Sequence, residues 1–182
     1  MMSLPRAILC LFFLTVLAAP APAADVKPSG TVKSFDVAPT PKAAPAFSWS
    51  DGAGIERSLD DYRGKVVVMN FWATWCAPCI TELPSLYRLQ ESLGSAPVVL
   101  IALNIDRGEA GAAKARALLH RLKLDALAFH HDQSSRAYRA LGIQVMPTTI
   151  IFDPEGREVG RLPGPAEWDA PEARALIEAF KR

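Results

Sequence analysis

The chain has 182 residues, of which 50% are hydrophobic and 21% charged, with 20 Lys and Arg against 19 Asp and Glu. This balance excludes long intrinsic disorder, and a net charge of +1 gives no electrostatic case for nucleic acid. Three cysteines are too few for a disulfide-stapled mini-protein or a four-cysteine zinc module, which leaves one globular domain with an appendage.

The appendage is N-terminal. Arg6 is the only charge before Asp25, and Ala7 to Ala19 is a run uninterrupted by charge and of signal h-region length, short for a membrane-spanning helix. Ala21-Pro22-Ala23 has the small-x-small pattern that signal peptidase reads. Residues 1–23 are therefore expected to be a signal peptide, with an uncleaved anchor as the alternative. Cleavage would remove Cys10 and leave only Cys76 and Cys79, in a compartment where disulfides persist. Residues 24–45 shift to Pro, Ala, Lys, Ser and Thr without an apolar period and read as a semi-extended spacer. The domain is expected over 46–182.

Within it, strands and helices alternate. Ala46 to Trp49 and Ile55 to Ser58, joined around Asp51-Gly52, predict a hairpin, because Asp-Gly suits a turn with positive φ. Val66 to Trp72 (VVVMNFW) predicts a strand buried on both faces, and Pro78 to Leu93 carries apolar residues at helical spacing. Val98 to Ile105 predicts a second buried strand. Glu109 to Leu122 predicts an Ala-rich helix, Leu127 to His130 a short strand, and Ser134 to Leu141 a helix. Thr148 to Phe152 and Glu158 to Leu162 flank the turn signal Asp153-Pro154-Glu155-Gly156. Pro171 to Phe180 predicts the last helix, with Pro171 suited to its first turn. The fold class is α/β, a sheet covered by helices on both faces.

Trp75-Cys76-Ala77-Pro78-Cys79 directly follows the first buried strand and opens a helix. Two cysteines with this spacing in a first helical turn bring their sulfurs into bonding range with little backbone strain. The unpaired N–H groups and positive dipole end favour a thiolate on Cys76, which is the form that attacks a disulfide. Cys79, further into the helix, is placed to resolve the mixed disulfide. A structural disulfide would close too small a loop to constrain the unfolded chain much. A metal site would need further ligands. His130 and His131 are candidates, but neighbours on a strand point to opposite faces, so at most one could join the cysteines. No Pro-x-x-x-[Thr/Ser]-x-x-Cys pattern precedes Cys76, which disfavours a peroxidase.

Phe71-Trp72-Ala73-Thr74-Trp75-Cys76-Ala77-Pro78-Cys79, then Glu82-Leu83-Pro84, and later Val145-Met146-Pro147-Thr148-Thr149, resemble the TlpA/ResA/CcmG branch of the thioredoxin superfamily. The stretch Gly160 to Trp168 looks most like TlpA-type members. The resemblance spans roughly Ala46 to the C-terminus. It implies a thioredoxin-like fold: a central mixed sheet flanked by helices, an N-terminal β-hairpin and a helix–strand insertion between Arg107 and Asp132. It implies an extracytoplasmic thiol–disulfide oxidoreductase without a cofactor, in the periplasm or tethered to the inner membrane. Such a protein reduces disulfide-bearing proteins of cytochrome c maturation or copper-site assembly and is itself re-reduced by a membrane thiol donor.

The resemblance further implies Pro147 as a cis-proline facing the disulfide, with the backbone at Met146 pairing with a partner strand. Trp75, Ala77 and Pro78 would complete the partner surface. Asn70 stands where cytoplasmic thioredoxins carry a buried aspartate; it can hydrogen-bond but cannot titrate. Glu82 matches an acidic residue of the ResA-like branch, which could exchange protons with Cys79; the alternative is a helix-surface glutamate. Trp72 and Trp75 are expected beside the disulfide, Trp168 as a packing anchor, and His120 in solvent. Two other functions stay open: an oxidant that runs the same chemistry backwards, and a copper-binding assembly factor using Cys76, Cys79 and one of His130 or His131.

Overall fold

The computed structural model describes residues 26–94 and 96–181. The expected signal peptide with its expected cleavage site, and Cys10, lie outside them. Among the described residues, eight strands form one mixed sheet in the order β1 (Asp36–Ala43), β8 (Arg157–Pro163), β7 (Thr148–Phe152), β4 (Val66–Trp72), β5 (Val98–Asn104), β6 (Phe129–His131), β2 (Trp49–Asp51) and β3 (Glu56–Arg57).

The centre of the sheet follows from three apolar runs. β4 (Val66–Trp72) is buried at every position, as are all residues of β7 (Thr148–Phe152). A strand buried on both faces needs cover from both sides, and the sequence supplies no polar alternation there. β5 (Val98–Asn104) runs parallel to β4 in unbroken register from Val66↔Val98 to Trp72↔Asn104. β7 runs antiparallel to β4, with Asn70 opposite Thr149 and Phe71 opposite Thr148. β8 (Arg157–Pro163) completes the hairpin with β7, whose turn is closed by the Asp153 carboxylate accepting from the Glu155 and Arg157 amides.

The expected insertion is a parallel crossover. From β5 the chain passes through α2 (Gly108–Arg121) to β6 (Phe129–His131), which pairs in parallel with β5. β6 then carries the hairpin of β2 (Trp49–Asp51) and β3 (Glu56–Arg57) at the outer edge. In that hairpin positive φ falls at Gly54 (80°) instead of the expected Gly52. The Asp51 carboxylate accepts from the Ala53 and Ile55 amides, so the turn is wider than Asp-Gly alone suggests.

The faces of the sheet are assigned by two contacts from β4. Asn70 reaches α1 (Ala77–Leu93) through Glu82, whereas Phe71, on the opposite face, packs edge-on against Tyr138 of α3 (Arg136–Ala140). α4 (Pro171–Glu178) is the last helix among the described residues.

The spacer reading of 24–45 is corrected over its described part. A 3-10 turn at Gly30–Val32 leads into β1 (Asp36–Ala43), which pairs antiparallel with β8. Val32 and Phe35 are buried, and Phe35 packs against Phe180 with ring centroids 6.3 Å apart. A Cβ on Gly160 would stand 2.4 Å from the Phe35 ring and 2.5 Å from the Asp36 carbonyl, so β8 is bare where this segment docks. Pro39 and Pro41 are tolerated because β1 is an edge strand, and its pairing is interrupted between Val37 and Lys42. The folded unit therefore begins well before Ala46.

Candidate active site

The β4–α1 junction positions the cysteines. After Trp72 the chain turns through Ala73, Thr74 and Trp75, and the Cys76 amide donates to the Ala73 carbonyl at 3.2 Å. The loop is clamped from the end of β5. Asp106 accepts from the Thr74 amide (2.9 Å) and hydroxyl (3.1 Å) and from the Asn104 side-chain amide (2.8 Å). Cys76 is the N-cap of α1, and its Sγ accepts from the Cys79 amide at 3.3 Å.

Cys76 and Cys79 are joined by a disulfide with Cα atoms 5.3 Å apart. Cys76 retains 5% exposure and Cys79 none, so only the first sulfur can be approached from outside. Around it, Ala77 and Pro78 are exposed and Trp75 is 67% exposed, a large apolar side chain presented to solvent beside the cysteine. Trp72 differs from expectation. It is fully buried and donates from Nε1 to the Ala102 carbonyl at 3.2 Å, so it belongs to the core beneath the site and not to its surface.

The Met146–Pro147 peptide is cis. Pro147 immediately precedes β7, whose Thr148 pairs with Phe71, so it stands beside the carboxyl end of β4 from which the cysteine loop departs. Its carbonyl accepts from the Gly164 amide at 2.8 Å, and the neighbouring Val145 is 50% exposed.

Glu82 is not on the helix surface. It lies one turn beyond Cys79, is 2% exposed, and its carboxylate takes three neutral donors. Asn70 Nδ2 reaches Oε1 at 2.7 Å, while the Ala166 amide and Trp168 Nε1 reach Oε2 at 3.1 and 3.3 Å. Burial pushes its pKa from 4.5 up to about 7, and the three hydrogen bonds oppose that rise. Ser85, one residue short of a further turn along, accepts from the Trp168 amide and donates to the Glu82 carbonyl. Asn70 also donates to Thr149, while its Oδ1 is buried without a hydrogen-bond partner. Trp168 is thus more than the expected packing anchor. A buried indole N–H requires an acceptor, which is the one signal in the sequence that could have linked it to Glu82.

Neither histidine of β6 turns to the cysteines. His130 Nδ1 accepts from Trp49 Nε1 at 3.1 Å, and burial lowers its pKa to about 4. His131 Nε2 contacts the Asp106 carbonyl at 2.6 Å. Among the described residues, no group of three or more His, Cys, Asp or Glu side chains could hold a metal ion. His120 is exposed beside Asp125, as expected.

Residues 40–157 match the AhpC/TSA family model. The chain is 36% identical over 114 residues to the thiol-disulfide oxidoreductase ResA of Geobacillus thermodenitrificans, a match covering 63% of each chain. It is 33% identical over 119 residues to the thioredoxin-like protein YneN of Bacillus subtilis, covering 62% of this chain and 65% of the relative. The match therefore spans somewhat less than two thirds of these relatives' length. Among solved structures, a DsbE-type thiol:disulfide interchange protein of Chlorobium tepidum superposes with a TM-score of 0.67 at 25% identity, covering 78% of this chain and 97% of that one. The chain belongs to the AhpC/TSA family of the thioredoxin superfamily, in the branch represented by its ResA-named relatives.

Proposed function

We propose that this protein is an extracytoplasmic thiol–disulfide oxidoreductase that reduces disulfides in other proteins. The carrying observation is Cys76 at the N-cap of α1, its sulfur accepting the Cys79 amide while Cys79 lies fully buried behind it. An N–H donor and a helix N-terminus both favour a thiolate on Cys76 once the pair is reduced. The Cys76 thiolate attacks one sulfur of the partner's disulfide, and the partner's other sulfur leaves as a thiolate. Cys79, deprotonated, then attacks Cys76 Sγ; the second partner sulfur leaves, and the Cys76–Cys79 disulfide forms. Two electrons pass to the partner, and Glu82, one turn from Cys79, exchanges the resolving proton with it.

Trp75, Ala77, Pro78 and the Met146–Pro147 segment form the partner surface, with the Met146 backbone pairing with an extended partner strand. The substrates are apocytochrome c or proteins that assemble a copper site, and a membrane thiol donor restores the dithiol. Residues 1–23 direct the chain to the periplasm. The same residues run backwards would make an oxidant, and the reduction potential separates the two. Equilibration against dithiothreitol or glutathione should place the couple near that of thioredoxin, about −270 mV. A value near about −120 mV would reverse the direction of the reaction and leave its residues unchanged.

A further inference from the structure

A cleft of about 590 Å³ opens next to the disulfide, between the cysteine loop, the start of α2 and α3. Its walls include Thr74 and Trp75, the two residues that precede Cys76, and Tyr138. Arg107, Lys114 and Arg139 also line it, and all three are exposed and form no ion pair with a carboxylate among the described residues. The one acid in the wall is Asp106, whose two oxygens are occupied by Thr74 and Asn104. Glu109, on the first turn of α2, lies outside the lining.

This local excess stands out in a chain whose charges balance overall: apart from Arg6, 19 basic residues, the three in the cleft included, face 19 acidic ones. A concave surface lined by one sign of charge raises the local concentration of the opposite sign. Arginine and lysine heads here are available to pair with carboxylates. The cleft borders the residues before Cys76, and an extended peptide advances about 3.3–3.6 Å per residue, so a segment bonded to Cys76 enters it within a few residues.

From these observations, and resting on the oxidoreductase reading above, we infer that the cleft lined by Arg107, Lys114 and Arg139 docks an acidic peptide segment flanking the target cysteine of the protein substrate. The exposed face of Trp75 covers the peptide backbone between that segment and the sulfur. Complementary charge of this kind acts on association rate and on the choice of partner.

The test uses two cysteine peptides, each as a mixed disulfide with 2-mercaptoethanol, identical except that four flanking residues are Asp and Glu in one and Asn and Gln in the other. With the reduced protein at low ionic strength, the acidic peptide should react about tenfold faster, and the ratio should fall toward one in about 0.5 M NaCl as the charges are screened. Lys114→Glu with Arg139→Glu should remove or invert the preference. Lys33→Glu with Lys42→Glu, the same change in net charge at the β1 edge of the sheet, should keep it. Equal rates for the two peptides, or equal loss of preference in both double variants, would overturn the docking site while leaving the oxidoreductase reading intact. A preference for oxidised glutathione over its neutral diester without one for the acidic peptide would overturn it too, in favour of a small anionic disulfide. Absence of exchange with either peptide would overturn both readings.

Discussion

The indole Nε1 of Trp168 donates to Oε2 of Glu82 at 3.3 Å, which ties the loop after β8 to a carboxylate one turn beyond the resolving cysteine. The same oxygen accepts the Ala166 amide, and Ser85 holds the Trp168 backbone, so α1 and the 166–168 loop form one hydrogen-bonded unit. A buried carboxylate surrounded by neutral donors is both stabilised and made titratable near neutral pH.

Glu82 should give the oxidised protein a specific pH dependence of stability. Its pKa rises from 4.5 to about 7 on folding, so between those values the folded chain keeps a proton that the unfolded chain releases. The contribution of this group to stability is therefore greatest below the unfolded value, declines as pH rises, and levels off above the folded one. The decline is on the order of 3 kcal/mol. In Glu82→Gln most of it should vanish, read as a smaller stability difference between about pH 5 and about pH 8 in urea unfolding. An unchanged difference would place the titration elsewhere.

Trp168→Phe keeps an aromatic side chain but removes the pyrrole half of the indole, and with it one donor and some buried volume. Hydrogen bonds to the carboxylate hold its pKa down, so their loss moves the Glu82 transition to higher pH. Stability at neutral pH should drop by about 2–4 kcal/mol, the lost donor and the cavity together. A stability loss with no movement of the pH profile would mean that Trp168 acts through packing alone.

The two cysteines should behave differently when replaced singly. Because Cys76 is the accessible sulfur and Cys79 is buried, Cys79→Ser should accumulate a mixed disulfide with a protein or peptide disulfide, visible by mass spectrometry. Cys76→Ser should form none. Comparable trapping by both variants would contradict the assignment of Cys76 as the attacking residue.

Asp106→Ala should loosen the cysteine loop. It strips acceptors from the Thr74 amide and hydroxyl and from Asn104, at a cost of about 2–4 kcal/mol. The local signature is faster hydrogen exchange at the Thr74 amide, with Asp106→Asn intermediate because one oxygen remains. Equal protection in all three proteins would show that the loop holds without the clamp.

Much of the fold is legible in the chain itself. VVVMNFW and the run from Val98 declare buried strands because the only polar residues in them are Asn70 and Asn104, and the observed β4 has the bounds that its run predicts. The helix after Cys76 and the β7–β8 hairpin are equally local, since a helix start and a tight turn are written in residues a few positions apart. The segment before Ala46 was not legible. Its prolines and weak periodicity argue for a linker, and only the open edge of β8, with the gap at Gly160 that admits Phe35, turns it into β1.

The site divides in the same way. The sequence alone determined the paired cysteines at a strand–helix junction, because their spacing and setting are local, and it marked Glu82 and Pro147 through their resemblance to a known branch. Only the tertiary structure decided that Glu82 is buried against Trp168 and Asn70, that Asp106 clamps the loop, and that His130 and His131 are held by Trp49 and the Asp106 carbonyl. Those partners lie as far as 86 positions apart in the chain. The energy of a buried polar group is set by what the folded chain brings against it, and residues so distant in sequence meet only once the sheet and its helices have packed.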